Sequence, residues 1–194
     1  MMSQFSVIKL KIMARTKWSL DPTHSTLGFK VKNLMIANVS GSFKNFSADV
    51  ETEGTDFGTA TIHLKAEIAS IDTHNTQRDG HLRSSDFFEA EKFPEMIFES
   101  TSIEKVDEEN YHLLGNLTMK GVTKPIKLNM EYGGVTKDPW GGERAGFVVI
   151  GKINRTDWGI NFNALLETGG VMLSEEIKID SEIQLVRQAV AVAA

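Results

Sequence analysis

Strict alternation of apolar and polar residues constrains this chain more than any other feature. Over residues 60–68, Ala60, Ile62, Leu64, Ala66 and Ile68 are apolar while Thr61, His63, Lys65 and Glu67 between them are polar. A period of two marks a β-strand with one dry and one wet face. The pattern recurs with Leu27, Phe29 and Val31 against Gly28, Lys30 and Lys32, and with Leu113, Leu117 and Met119 against His112, Asn116 and Thr118. It returns with Ile126, Leu128, Met130 and Tyr132 against Lys127, Asn129 and Glu131, and Phe147, Val149 and Ile153 share one face. Near the end, Ile177, Ile179, Ile183 and Leu185 alternate with Lys178, Asp180, Glu182 and Gln184. Turn-forming clusters separate these runs at residues 53–56, 107–110, 120–121, 133–134, 138–142 and 168–170. About eight such strands, with almost no helix to cover them, must close into a barrel or stack as a sandwich.

One region departs from the pattern. Residues 70–94 read SIDTHNTQRDGHLRSSDFFEAEKFP, with Asn75 or Thr76 placed to cap a helix and Ser84-Ser85-Asp86 placed to begin a second short turn. One or two short helices closing a barrel end are expected there, after which Pro94 releases the chain into a strand over residues 95–103. The first fifteen residues lack the unbroken apolar run of a signal peptide. They are read as a peripheral or disordered leader, which favours a cytoplasmic over a periplasmic location. The domain itself is expected over residues 16–187, with 188–194 a frayed tail.

Composition removes several function classes. A net charge of −5 without a basic block argues against nucleic acid, whose phosphates need clustered Lys and Arg. No cysteine is present, so disulfides, thiolate nucleophiles and Cys-ligated zinc are excluded. His24, His63, His74, His81 and His112 show no HExxH spacing, and no metal or cofactor is expected. Ser40-Gly41-Ser42 and Ser84-Ser85 lack a nucleophile elbow, and the glycines of residues 133–146 lack the strand-to-helix setting of a phosphate loop, so no catalytic residue is assigned. Residues 154–159 read as a tight structural bend, with Trp158 plugging an end. Eleven Phe against two Tyr and three Trp leave much purely apolar aromatic surface, which needs either a core or a guest.

In a small barrel the inward side chains either fill the interior or line a hollow, and periodicity does not distinguish the two. The candidates for such a wall are Phe29, Val31, Phe43, Ile62, Leu64, Phe98, Leu117, Met119, Leu128, Met130, Phe147 and Phe162. Arg78 and His81 are the candidates for polar work at a mouth, where Arg offers a planar fork of donors to an oxygen-bearing head group. The competing reading is a structural ion pair of Arg78 with Asp79 or Asp86.

Several strings carry a resemblance: DPTHSTLGFKVKNLMIANVSGSF at residues 21–43, SIDTHNTQRDGHLRSSDFF at 70–88, FPEMIFES at 93–100, GNLTMKGVTKPI at 115–126 and INRTDWGI at 153–160. In this order, over residues 18–187, they resemble the YceI-like family of polyisoprenoid-binding proteins. The resemblance implies an all-β fold, an extended eight-stranded antiparallel lipocalin-like barrel with a short helical cap, and an apolar pore. It implies as ligand a polyprenyl chain bearing a quinone, phenol or phosphate head. Relatives commonly carry His where this chain has Asn33, so no role is carried over to that position. The expected function is to bind and carry or store such a lipid, with transient membrane contact and pairing of two subunits as expected associations. An enzyme or isomerase acting on a small apolar substrate in the same cavity is the alternative.

Overall fold

The computed structural model describes residues 15–190. The expected leader lies outside the described residues except for Arg15, as do residues 191–194 of the expected tail. Within the described residues the strands are β1 (Arg15–Leu20), β2 (Leu27–Asn33), β3 (Ala37–Phe43), β4 (Phe46–Glu53), β5 (Asp56–Glu67) and a two-residue β6 (Ile71–Asp72). Then come helix α1 (Thr76–Arg83), β7 (Glu95–Lys105), β8 (Asn110–Met119), β9 (Val122–Lys137), β10 (Glu143–Asn154) and β11 (Leu173–Arg187).

All pairings are antiparallel, and the ring closes through β11, whose first half pairs with β2 and whose last residues pair with β1. β1 and β2 are two halves of one broken strand: β1 also pairs with β4, and β2 with β3. Counting each broken strand once gives eight positions, so the alternating faces close as a lipocalin-like barrel and not as a sandwich. The first break follows from Pro22, which has no N–H to give the ladder. Asp21 caps the resulting 3-10 turn by accepting from Thr23 N–H at 2.9 Å. The second falls at Lys44-Asn45, whose N–H groups leave the ladder and donate to Ser70 O and Oγ.

Turn chemistry fixes the register of β8 and β9. Lys120 (φ 49°) and Gly121 (φ 73°) form a two-residue hairpin turn joining Met119 to Val122, a left-handed pair that glycine adopts without strain. Residues 133–134 behave differently from expectation. β9 runs straight through them, and Gly133-Gly134 stand opposite Gly146 alone, with Gly134 at φ 99°. They form a bulge that bends the strand, where missing side chains and a positive φ serve closure instead of reversal.

The two barrel ends differ. At one, Trp18, Phe57, Tyr132 and Phe147 pack with ring centroids 4.8 to 5.4 Å apart. Trp18 Nε1 donates to Thr52 Oγ1 at 2.9 Å, so its buried polar atom is satisfied. Beside this plug Asp21 lies 2.8 Å from His24 Nδ1 and accepts from Arg144 at 2.5 Å, and these bonds hold its carboxyl down at about 2. Arg144 also donates to Asp138 at 3.0 Å, tying the break in the first strand to the β9–β10 turn. At the opposite end lie α1, the following turns of residues 84–93, and the segment between β10 and β11.

Candidate functional site: an apolar barrel cavity

The interior is hollow. It encloses a cavity of about 430 Å³, within the range of small-molecule sites. On β11 its wall runs from Leu173 through Ile177, Ile179 and Ile183 to Leu185. The twelve residue-to-residue steps at roughly 3.3 Å each, tilted at about 40°, correspond to roughly 30 Å along the axis. The hollow is therefore long and narrow.

All twelve wall candidates named from the sequence, from Phe29 to Phe162, line this cavity. Their burial reveals what periodicity leaves open. Phe29, Val31, Ile62 and Leu64 face inward yet are only half-buried, because their free surface borders the hollow. Phe43, Phe98, Leu117, Met119, Leu128, Met130 and Phe147 are buried in the wall. Met96, Leu113, Val149 and Ile153 extend the same faces. The cap contributes Ile71, Leu82, Phe87 and Phe88.

The cap is held by its own polar groups. Asn75 Oδ1 accepts from Arg78 N–H at 2.9 Å and starts α1 as the sequence suggests. Asp79, buried, accepts from Thr73 N–H at 2.9 Å and Thr73 Oγ1 at 2.5 Å. Arg78 donates to Thr73 Oγ1 and to Thr73 O, both at 2.8 Å. His81 Nε2 lies 2.8 Å from Asp86 Oδ2, and its ring sits edge-on to Phe87 and Phe162, 5.0 and 4.8 Å away. The ion pair weighed for Arg78 is thus absent: Asp79 and Asp86 are taken by Thr73 and His81. Arg78 and His81 both line the cavity but stand exposed at its rim. Each of the five histidines lies near one carboxylate, His24 by Asp21, His63 by Glu99, His74 by Asp72, His81 by Asp86 and His112 by Glu104. No third ligand converges on any of them among the described residues.

Sequence reasoning missed one charged group in this wall. Residues 154–159 do form a tight bend, a 3-10 turn (Arg155–Trp158) capped by Asn154 and ended by Gly159 at φ 74°. Trp158 is buried and donates to Leu117 O at 2.9 Å. Arg155, in the same turn, is only 4% exposed and lines the cavity. It lies in no strand, so alternation carries no signal for where it points.

A closed antiparallel ring around a long apolar hollow, plugged at one end and capped by a short helix at the other, defines a lipocalin-like barrel of the binding type. The sequence model of the YceI-like domain matches residues 18–185, and the chain belongs to that family. A UPF0312 protein of Staphylococcus aureus is 41% identical over 170 residues, covering 87% of this chain and 96% of its own length. The crystal structure of a Campylobacter jejuni YceI protein superimposes with a TM-score of 0.70 at 37% identity, covering 88% of this chain and 97% of the other. A polyisoprenoid-binding domain from Saccharophagus degradans shares the fold at a TM-score of 0.63 and 18% identity, covering 88% and 98%.

Proposed function

We propose that this protein binds a long isoprenoid lipid in the barrel interior and carries or stores it. The observation that carries this reading is the shape and chemistry of the hollow: roughly 30 Å long by strand rise, lined mostly by aliphatic and aromatic side chains, with Arg78, His81 and Arg155 at the cap end. The S. degradans domain of the same fold, named for polyisoprenoid binding, supports the same class of guest. Covering about 500 Å² of apolar tail at about 25 cal/mol per Å² gives roughly 12 kcal/mol gross. Association costs of about 4–15 kcal/mol leave affinities from weak to nanomolar, with tail length the main lever.

The lipid enters at the cap end, where the mouth makes transient contact with a membrane. Leu34, Met35 and Ile36 at the β2–β3 tip are exposed there, as is Leu165 in the segment before β11. Leu34 N–H donates to Met172 O at 2.7 Å, which places the two apolar tips side by side. Native mass spectrometry of protein purified gently from cells is expected to show an adduct whose extracted mass belongs to an isoprenoid series. A clean unliganded mass, or an adduct of another lipid class, would contradict the reading.

A further inference from the structure

Two charged side chains are buried among the described residues, Asp79 and Arg155. Asp79 is satisfied by Thr73. Arg155 is not. Its Nε donates to Ser174 O at 2.9 Å and its Nη1 to Ile160 O at 2.6 Å, while Nη2 is buried with no acceptor. Two backbone carbonyls orient the guanidinium without neutralising it, and no carboxylate among the described residues lies within ion-pair distance. Burial pushes its pKa down, opposed at longer range by Glu175. An arginine nonetheless stays protonated, so a positive charge stands in the wall of an otherwise apolar cavity. Such a charge, and such a donor, are costly to leave without a partner.

We propose that Arg155 is the head-group anchor of the cavity, with Nη2 donating to an anionic oxygen, carboxylate, phenolate or phosphate, at the end of the isoprenoid chain. This rests on the lipid-binding reading above and adds to it the charge and the direction of the guest. β10 runs from the plugged end to Asn154, so Arg155 stands at the cap end and the tail extends from it toward Phe57 and Phe147. Ile160, whose carbonyl holds Nη1, precedes by two residues the Phe162 ring that packs on His81, which places the anchor just inside the rim. A water could satisfy the N–H but would leave the charge uncompensated, whereas an anion answers both.

The test holds the tail constant. The full-length wild-type protein is titrated with geranylgeranoic acid, its methyl ester and geranylgeraniol. The acid is expected to bind at least about tenfold more tightly than either neutral lipid. With the acid labelled with carbon-13 at its carboxyl, the bound group should ionise at lower pH than the free acid, the opposite of what an apolar cavity alone does to a carboxyl. Arg155→Met should abolish the preference and raise the pH at which the bound carboxyl ionises. If that variant does not fold, the wild-type titration decides alone. Equal binding of the three lipids with a carboxyl shifted upward would overturn the anchor while leaving the tunnel intact. Failure of all three to bind would overturn the lipid-binding reading with it.

Discussion

Phe147→Asp is expected to unfold the barrel or lower its melting temperature by at least about 10 °C, and to abolish lipid uptake. Phe147 is 7% exposed, packs on Phe57 and Tyr132 in the plug, and also lines the hollow. Truncating a buried Phe alone costs about 3–5 kcal/mol. A carboxylate in its place adds the desolvation of a charge with no partner in this aromatic cluster. For a domain of this size each kcal/mol corresponds to roughly 2–4 °C. Lys65→Glu is the matched change on the outer face. It breaks an exposed pair with Glu95, now 2.6 Å long, and sets two like charges side by side, for about 1 kcal/mol at most. Thermal melts of the two variants, read with a lipid-uptake assay, check the facing of the strands. Equal damage from both would mean the assignment of inside and outside is wrong.

Ile62→Trp should do the reverse, leaving the fold intact while emptying it of ligand. Ile62 is half-buried on β5 and its free surface borders the cavity, so an indole has room to enter without displacing wall atoms. We expect a melting temperature unchanged or raised, and isoprenoid affinity reduced at least about a hundredfold, since several tail carbons lose their place at about 0.8 kcal/mol each. Ala66→Trp is the control. Ala66 lies on the same strand face but is 0% exposed and borders solid packing, where added volume is expected to cost about 1–3 kcal/mol or more. Calorimetric titration and thermal melts separate the two cases. If Ile62→Trp destabilises the protein as Ala66→Trp does, the interior is filled at both places.

How much of this was legible in the sequence depends on whether a residue's direction is set by the two-residue repeat. Where it is, as along residues 60–68 or 126–132, alternation placed the inward side chains, and the nine wall candidates that fall in such runs lie together around one cavity. Turn-forming residues suggested the reversals, and here local composition misled at Gly133-Gly134: a glycine pair serves a bulge as readily as a reversal, and only the partner strand distinguishes them. The hollow was not legible in the alternation, and only the family resemblance implied it. Phe29 and Ile62 would read the same in a packed core, and the difference lies in how far the opposite walls stand apart, which closure and tilt of the whole sheet determine. Arg155 escaped for a related reason. Its direction is set by the 3-10 turn and by two carbonyls, one of them nineteen residues away on β11, contacts that no local pattern records. The competing ion pair of Arg78 was plausible by proximity in sequence, but Thr73 and His81 take the carboxylates because the cap folds back on itself.

A long tunnel should accommodate a tail by its length, which is tested most directly by titrating the wild-type protein with geraniol, farnesol, geranylgeraniol and longer prenols. Each added isoprene unit should raise affinity roughly tenfold, the part of its burial energy that survives the ordering of the chain, until the tunnel is full and the gain stops. Affinity that stays flat across the series, or falls from farnesol onward, would contradict an elongated isoprenoid site.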